Sequence, residues 1–132
     1  AISRIVLGQL DAYVDPFAAL LRGPAGEAWA EVSRGLYDGR VFGLFPYDIA
    51  AAAFLAEEAG AMVTDARGQS IGDTNLLDSS SAAVLSCVVA SNAELHRVIL
   101  REVGEGLRRA EELIRKAFAG QTGEKAVDEL RA

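Results

Sequence analysis

The sequence predicts an α/β fold in which a layered sheet of short buried strands is flanked by helices. Segments with apolar residues at helical spacing, such as 95–118, alternate with short apolar runs, such as 87–90. The chain has 132 residues, of which 51% are hydrophobic, and this is enough to bury one core. We therefore expect a single layered domain.

Residues 16–43 predict a helix of their own. Trp29, Val32 and Leu36 recur at helical spacing, which predicts a helix over 25–36 that ends at a glycine-containing turn. We expect this helix to pack on the edge of the domain. A role in gating a substrate site is the alternative.

An alanine-rich run follows Asp48 and predicts a helix over 49–59. Asp48 is a favourable N-cap, because its carboxylate can accept hydrogen bonds from the free N–H groups of the first turn. Most positions in this helix are apolar or small, so we expect it to be buried on more than one side. Gly60 is typical of the residue that ends a helix, and 61–64 reads as a short buried strand.

The last predicted strand and helix lie at 87–90 and 95–118, joined by Ser91-Asn92, which is typical of a helix cap. Gly104 and Gly106 interrupt the helical pattern. Each glycine costs about 1 kcal/mol relative to alanine, so we expect a break or a kink there.

Composition excludes several classes of function. A net charge of −6 leaves no basic patch for nucleic acid. No run of about twenty apolar residues occurs, so we expect no membrane span. Cys87 is the single cysteine, which rules out a disulfide within the chain and suggests a reducing, cytoplasmic location. We expect Cys87 to be a small core residue, and His96 has no neighbours at zinc-ligand spacing.

Asp48 allows two interpretations from the residues alone. It can simply cap a core helix. Alternatively, the helix N-terminus concentrates positive potential and attracts an anion, while the carboxylate holds a hard cation beside it. A phosphate and a metal ion could therefore meet at this point.

Three segments resemble motifs of the inositol monophosphatase family, and they occur in the family's order. They are the Asp-Ala-Tyr strand at 6–15, the aromatic-Asp-apolar-Ala signature at 47–52 with Glu58-Ala59-Gly60-Ala61, and the closing strand and helix at 87–96. Tyr47 stands where the family usually has Trp, and Ala61 where it has a second Gly. Neither change removes the carboxylate of Asp48.

The resemblance implies the C-terminal part of an αβαβα sandwich and the Mg²⁺-dependent hydrolysis of a small sugar or inositol phosphate. It implies that Asp48 is a metal ligand and a catalytic residue. It also places an acidic, substrate-binding residue shortly before this signature. Counting from the Asp-Ala-Tyr strand gives Asp15, and counting back from Asp48 gives Val41. Asp15 alone has suitable chemistry, although Asp15-Pro16 is also an ordinary strand exit.

The family's first signature, an Asp-Pro-x-Asp-Gly turn that supplies two metal carboxylates, has no counterpart in the sequence, and neither has its upstream Glu pair. We therefore expect residues 1–120 to be the C-terminal half-domain of a longer phosphatase, with an inserted helical segment at 16–43 and a frayed tail at 121–132. The remaining Mg²⁺ ligands would come from the N-terminal half.

The expected partners are a small phosphorylated substrate, the N-terminal half of the same enzyme and a second copy in a homodimer. The alternative is a non-catalytic folding, regulatory or oligomerisation module that associates through the helix at 95–118. Its charged face suits either packing on its own domain or contact with a neighbouring subunit.

Overall fold

The computed structural model describes residues 1–39 and 43–119. Its helices are α1 (Ser3–Val6), α2 (Phe17–Leu21), α3 (Gly26–Leu36), α4 (Pro46–Glu58) and α5 (Ala93–Phe118), with a short 3₁₀ turn at Ser81–Ala83. Its strands are β1 (Ala12–Asp15), β2 (Met62–Thr64) and β3 (Cys87–Ala90). The strands predicted within 6–15, at 61–64 and at 87–90 are thus present, as are the predicted helices.

The strands form one antiparallel sheet in the order β1-β3-β2. Tyr13, Val89 and Val63 lie opposite one another across it, so their side chains share one face. All four residues of β3 are fully buried. A central strand is apolar on both faces only when both faces are covered.

Helices cover both faces of the sheet. On one face, α1 and α4 pack in a cluster that contains Ile49, Cys87 and Val89. On the other face, Val88 packs with α2 and α5, and α3 packs against both of these helices. The predicted sheet flanked by helices is therefore confirmed at the level of an α/β arrangement.

The predicted helix over 25–36 is present as α3, and the shorter helix α2 precedes it. The predicted turn after α3 lies at Asp38 and Gly39, both of which have positive φ. Because α3 packs on α2 and α5, it lies on the face of the sheet opposite α4. Residues 40–42, which the predicted segment includes, lie outside the described residues, as does the predicted tail at 121–132.

Helix α4 ends as the sequence predicts. Gly60 has φ +86°, and its N–H donates to the Glu57 carbonyl at 2.9 Å. The N–H of Ala61 donates to the Ala56 carbonyl, also at 2.9 Å. These two hydrogen bonds are the Schellman pattern, which turns the chain back from the helix into β2.

The expectation that α4 is buried on more than one side is wrong for the described residues. Ile49, Ala53 and Ala56 form its buried face, whereas Phe54 and Leu55 are more than half exposed. The helix is apolar nearly all round, but the described chain covers only one side of it. This leaves an exposed apolar face on α4.

Of the expected break or kink at Gly104 and Gly106, the break is absent, because α5 is one continuous helix of 26 residues. Leu107 and Ile114 are buried against the layer of α2 and α3. This packing outweighs the cost of about 1 kcal/mol that each glycine adds to the helix. Arg108 and Arg109 also bind Glu105 one turn away, and these hydrogen bonds lower the pKa of Glu105 to about 2. The predicted cap is confirmed, since Asn92 accepts from the N–H of Leu95 at 2.9 Å.

His96 joins α5 to β2 from a buried position. The Thr64 hydroxyl donates to the Asp65 carbonyl at 2.8 Å and is hydrogen bonded to His96 Nε2 at 2.9 Å. Burial lowers the pKa of His96, because the charged ring would lose its hydration.

None of the helices within 1–39 and 43–119 combines the length and the apolar character needed to cross a bilayer.

Replacing Gly106 by alanine should stabilise the fold by about 1 kcal/mol, because the position is helical and an added Cβ meets nothing within 4 Å. Gly60→Ala is the matched control: its Cβ also meets nothing, but φ is +86°, so we expect destabilisation of about 1 kcal/mol. Urea unfolding followed by circular dichroism measures both changes. Equal shifts for the two variants would contradict the assigned backbone geometry.

His96 should make stability depend on pH. Its pKa is below 6.5 in the folded state, so the unfolded chain takes up the proton first as the pH falls. Stability is therefore fully present above 6.5 and is lost as the pH falls from 6.5 to the folded pKa. His96→Gln should flatten this part of the profile, measured as urea midpoints from about pH 7 to pH 5. A wild-type profile that stays flat over this range would contradict the buried neutral ring.

Candidate functional site

The first turn of α4 places Asp48 differently from the sequence prediction. The helix begins at Pro46, so Phe45 is the N-cap and Asp48 is the third helical residue. The reason is that Pro46 has the φ that a first helical residue needs and lacks the N–H that would go unpaired there. The prediction of Asp48 as the N-cap is therefore wrong, although its carboxylate still serves the helix start.

Asp48 and Phe45 exchange two hydrogen bonds. The N–H of Phe45 donates to Asp48 Oδ2 at 3.1 Å, and the N–H of Asp48 donates to the Phe45 carbonyl at 3.0 Å. Phe45 has no side-chain acceptor, so the carboxylate supplies the reciprocal half of a capping box. The hydrogen bond from the N–H of Phe45 uses Oδ2 of Asp48 and does not involve Oδ1.

The environment of Asp48 suits an ion. The residue is exposed, and it lies at the positive end of a 13-residue helix. A carboxylate oxygen is a ligand that Mg²⁺ prefers, and the helix dipole favours an anion at the same end. The turn can therefore accommodate a cation together with a phosphate.

Asp15 lies at the end of β1 and is partly buried. Its Oδ1 accepts from the N–H of Phe17 at 3.1 Å, which starts α2 directly after the strand. The strand-exit interpretation therefore describes one of its contacts. Asp15 pairs with Cys87, so its side chain points to the face of the sheet that α4 covers. The alternative position, Val41, lies outside the described residues.

The charges of both acidic residues influence Tyr13, which lies on the same face of the sheet as Asp15. Burial raises the pKa of the Tyr13 hydroxyl first, and the charges of Asp15, Cys87 and Asp48 raise it further. Both carboxylates thus act on the same hydroxyl. Tyr13 was not among the predicted site residues, although the two-residue strand period that puts it on the same face as Asp15 is a usable signal.

Two aromatic rings lie beside Asp48. Phe45 and Tyr47 stack in parallel, with ring centroids 5.4 Å apart and planes 4° from each other. Tyr47 is 54% exposed.

The described residues do not complete a metal site. No group of three or more His, Cys, Asp or Glu side chains within 1–39 and 43–119 converges as metal ligands would. Mg²⁺ favours octahedral oxygen coordination, so Asp48 can be one ligand but not the whole site.

Cys87 and His96 are not suited to catalysis. Cys87 is fully buried in β3, and burial raises its pKa to about 12, so the reactive thiolate does not form near neutral pH. This confirms the expected core role. His96 is buried and hydrogen bonds to the Thr64 hydroxyl, which also donates to the Asp65 carbonyl, so this contact is explained by the packing of α5 on β2.

Asp15→Asn and Asp48→Asn should each lower the pKa of Tyr13 toward its ordinary value of 10.0, with the larger change for Asp15. Removing a nearby negative charge makes the tyrosinate less unfavourable. A pH titration of tyrosine labelled at Cζ, followed by NMR, measures this. Glu27→Gln is the control and should leave the pKa of Tyr13 unchanged. A Tyr13 pKa that is the same in both Asp variants as in the wild type would show that neither carboxylate influences this hydroxyl.

Comparison with known proteins gives one family match, which includes the elements described above. A model of the inositol monophosphatase family matches residues 5–108 of the 132-residue chain. The matched range includes all three strands, Asp15, and the first turn of α4 with Asp48. No curated protein and no solved structure matches the chain. Because the family model matches most of its length, the chain belongs to the inositol monophosphatase family.

Proposed function

We propose that this chain supplies Asp48 as one metal ligand of a Mg²⁺-dependent phosphomonoesterase that hydrolyses a small sugar or inositol phosphate. Family membership suggests a metal-dependent phosphatase. The observation that carries the assignment to this residue is the exposed carboxylate in the first turn of α4, where Oδ2 accepts from the N–H of Phe45 and Oδ1 is not needed for that bond. The helix N-terminus favours a phosphate at the same place.

Asp15 is proposed to accept a hydrogen bond from a substrate hydroxyl. A carboxylate has about four acceptor sites, and the bond from Phe17 uses one of them. Its position on the α4 side of the sheet supports the assignment. The charges of Asp15 and Asp48 also both raise the pKa of the Tyr13 hydroxyl.

The rest of the metal shell is proposed to come from the N-terminal half of the same enzyme, which would complete the αβαβα sandwich. The exposed apolar face of α4 supports this, because Phe54 and Leu55 offer a surface for a second layer to cover. Residues in that layer would lie close to Asp48. A homodimer is proposed to use the outer side of α5, where Leu113 is exposed.

A non-catalytic folding, regulatory or oligomerisation module is the second candidate. The observation in its favour is that the described residues contain no cluster of three metal-ligating side chains. Under this alternative, Asp48 only stabilises the start of α4.

The chain of residues 1–132 alone should show no Mg²⁺-dependent phosphatase turnover, because one carboxylate binds Mg²⁺ weakly and does not position a water. Release of inorganic phosphate from inositol and sugar phosphates, with and without Mg²⁺, measures this. Turnover that needs Mg²⁺ and disappears in Asp48→Asn would contradict the expected inactivity.

Metal binding can be tested separately from turnover. A Mg²⁺ titration followed by amide NMR should shift residues of the first turn of α4, and Asp48→Asn should abolish the shifts. Asparagine is the suitable replacement because its amide oxygen can still accept from Phe45, whereas Asp48→Ala also removes the cap, at a cost of about 1 kcal/mol.

The coding sequence upstream of Ala1 distinguishes the two candidates. An Asp-Pro-x-Asp-Gly turn and a Glu pair there would support the enzyme, and joining that half to residues 1–132 should then give Mg²⁺-dependent turnover. Their absence would leave Asp48 as a capping residue and favour the non-catalytic module.

A further inference from the structure

A groove of about 920 Å³ lies between the turn that joins α2 to α3 and the last turns of α5. Because α2, α3 and α5 pack on the face of the sheet opposite α4, the groove is separate from the candidate site. Ala25, Ala28 and Phe118 form its apolar floor, which is the partly buried edge of the cluster around Ile114. Binding sites in proteins span about 300–1,000 Å³, so the groove has room for several side chains of a ligand.

The rims of the groove carry carboxylates that the fold does not use. Within residues 1–39 and 43–119, the side chains of Glu27, Glu31 and Glu111 have no hydrogen-bond or ion-pair partner. Glu27 and Glu31 are exposed on α3, whereas Glu111 is partly buried on α5. A Cβ on Gly23 would overlap the Glu111 carboxylate, so this group lies directly over the turn between α2 and α3. Carboxylates therefore line both sides of the apolar floor.

Most of the arginines at the groove already have partners. Arg108 forms ion pairs with Glu105 at 2.8 Å and with Glu112 at 2.6 Å. Arg22 donates to two backbone carbonyls in the loop before β3, at 3.0 and 2.7 Å. In the described part of the chain, Arg115 is then the one guanidinium of the groove without a partner, against three such carboxylates. The groove thus complements a positively charged ligand.

We propose that this groove binds a segment of a partner protein in which apolar side chains lie between lysines or arginines. The apolar side chains contact the floor, and the cations lie against the carboxylates of the two rims. Amphipathic segments bind hydrophobic grooves in this way, and charges across the interface select the partner. The inference does not depend on the proposed phosphatase, because α4 lies on the other face of the sheet.

The test titrates three short peptides into the 132-residue chain. The first has the sequence Lys-Lys-Leu-Leu-Lys-Lys, the second has Glu in place of Lys, and the third has Ser in place of Leu. The first peptide should bind about tenfold more tightly than either of the others, because it alone matches both the charge and the apolar floor. Amide NMR shifts give the dissociation constants. Trp29, the single tryptophan, packs in the cluster beneath the floor, so its indole N–H signal should shift with the first peptide.

Charge reversal assigns the binding to the groove. Glu27→Lys combined with Glu31→Lys should weaken binding of the first peptide about tenfold, because two attractive pairs become repulsive. Glu58→Lys combined with Glu94→Lys is the matched control, since it changes the net charge equally and also reverses one acidic residue in the first turn of a helix. Both control residues are exposed and lie outside the groove, so we expect a change of less than about twofold.

Several results would overturn the inference. They are equal affinity for the first and second peptides, an equal loss of affinity in the two double variants, and no binding of the first peptide. A wild-type dimer that the Glu27→Lys, Glu31→Lys variant converts to a monomer in sedimentation velocity would assign the groove to a second copy instead. A Trp29 indole signal that shifts in Leu130→Asp without any peptide would assign it to the end of the same chain.

Discussion

The burial of β3 between two helical layers is the constraint on which the arrangement of the other elements depends. All four residues of the strand are inaccessible to solvent, and their backbone groups pair with β1 on one side and β2 on the other. Because strand residues alternate, Cys87 and Val89 contact the layer of α4 while Val88 contacts the layer of α5. One short apolar segment therefore holds both layers in place.

The register of this strand also decides which side chains can form a site. Tyr13 and Asp15 face α4 because they pair with Val89 and Cys87. A slip of one residue would turn both toward α5, away from Asp48. The two candidate acidic residues, 33 positions apart in the sequence, thus share a region through pairing within the sheet and not through any local motif.

Local signals in the sequence were sufficient where one residue decides the conformation. Gly60 and Asn92 act as their residue types predict, since each satisfies backbone groups within a few positions. The start of α4 was misplaced because Pro46 and an apolar N-cap competed with the strong preference of Asp for capping. The continuity of α5 depends on tertiary packing that outweighs the glycines. The position of Asp15 on the α4 side of the sheet depends on long-range strand pairing, and neither feature is encoded locally.

The uncovered side of α4 links the fold to the proposed site. Asp48 and Leu55 are separated by two helical turns, so they lie on the same side of the helix, and both are exposed. Exposed apolar area costs about 25 cal/mol per Å², so a protein layer that covers Leu55 and Phe54 gains stability by doing so. The same layer would exclude water from Asp48 and bring its own side chains to the carboxylate. Covering the apolar face of α4 would therefore also enclose the first turn, where Asp48 accepts from the N–H of Phe45.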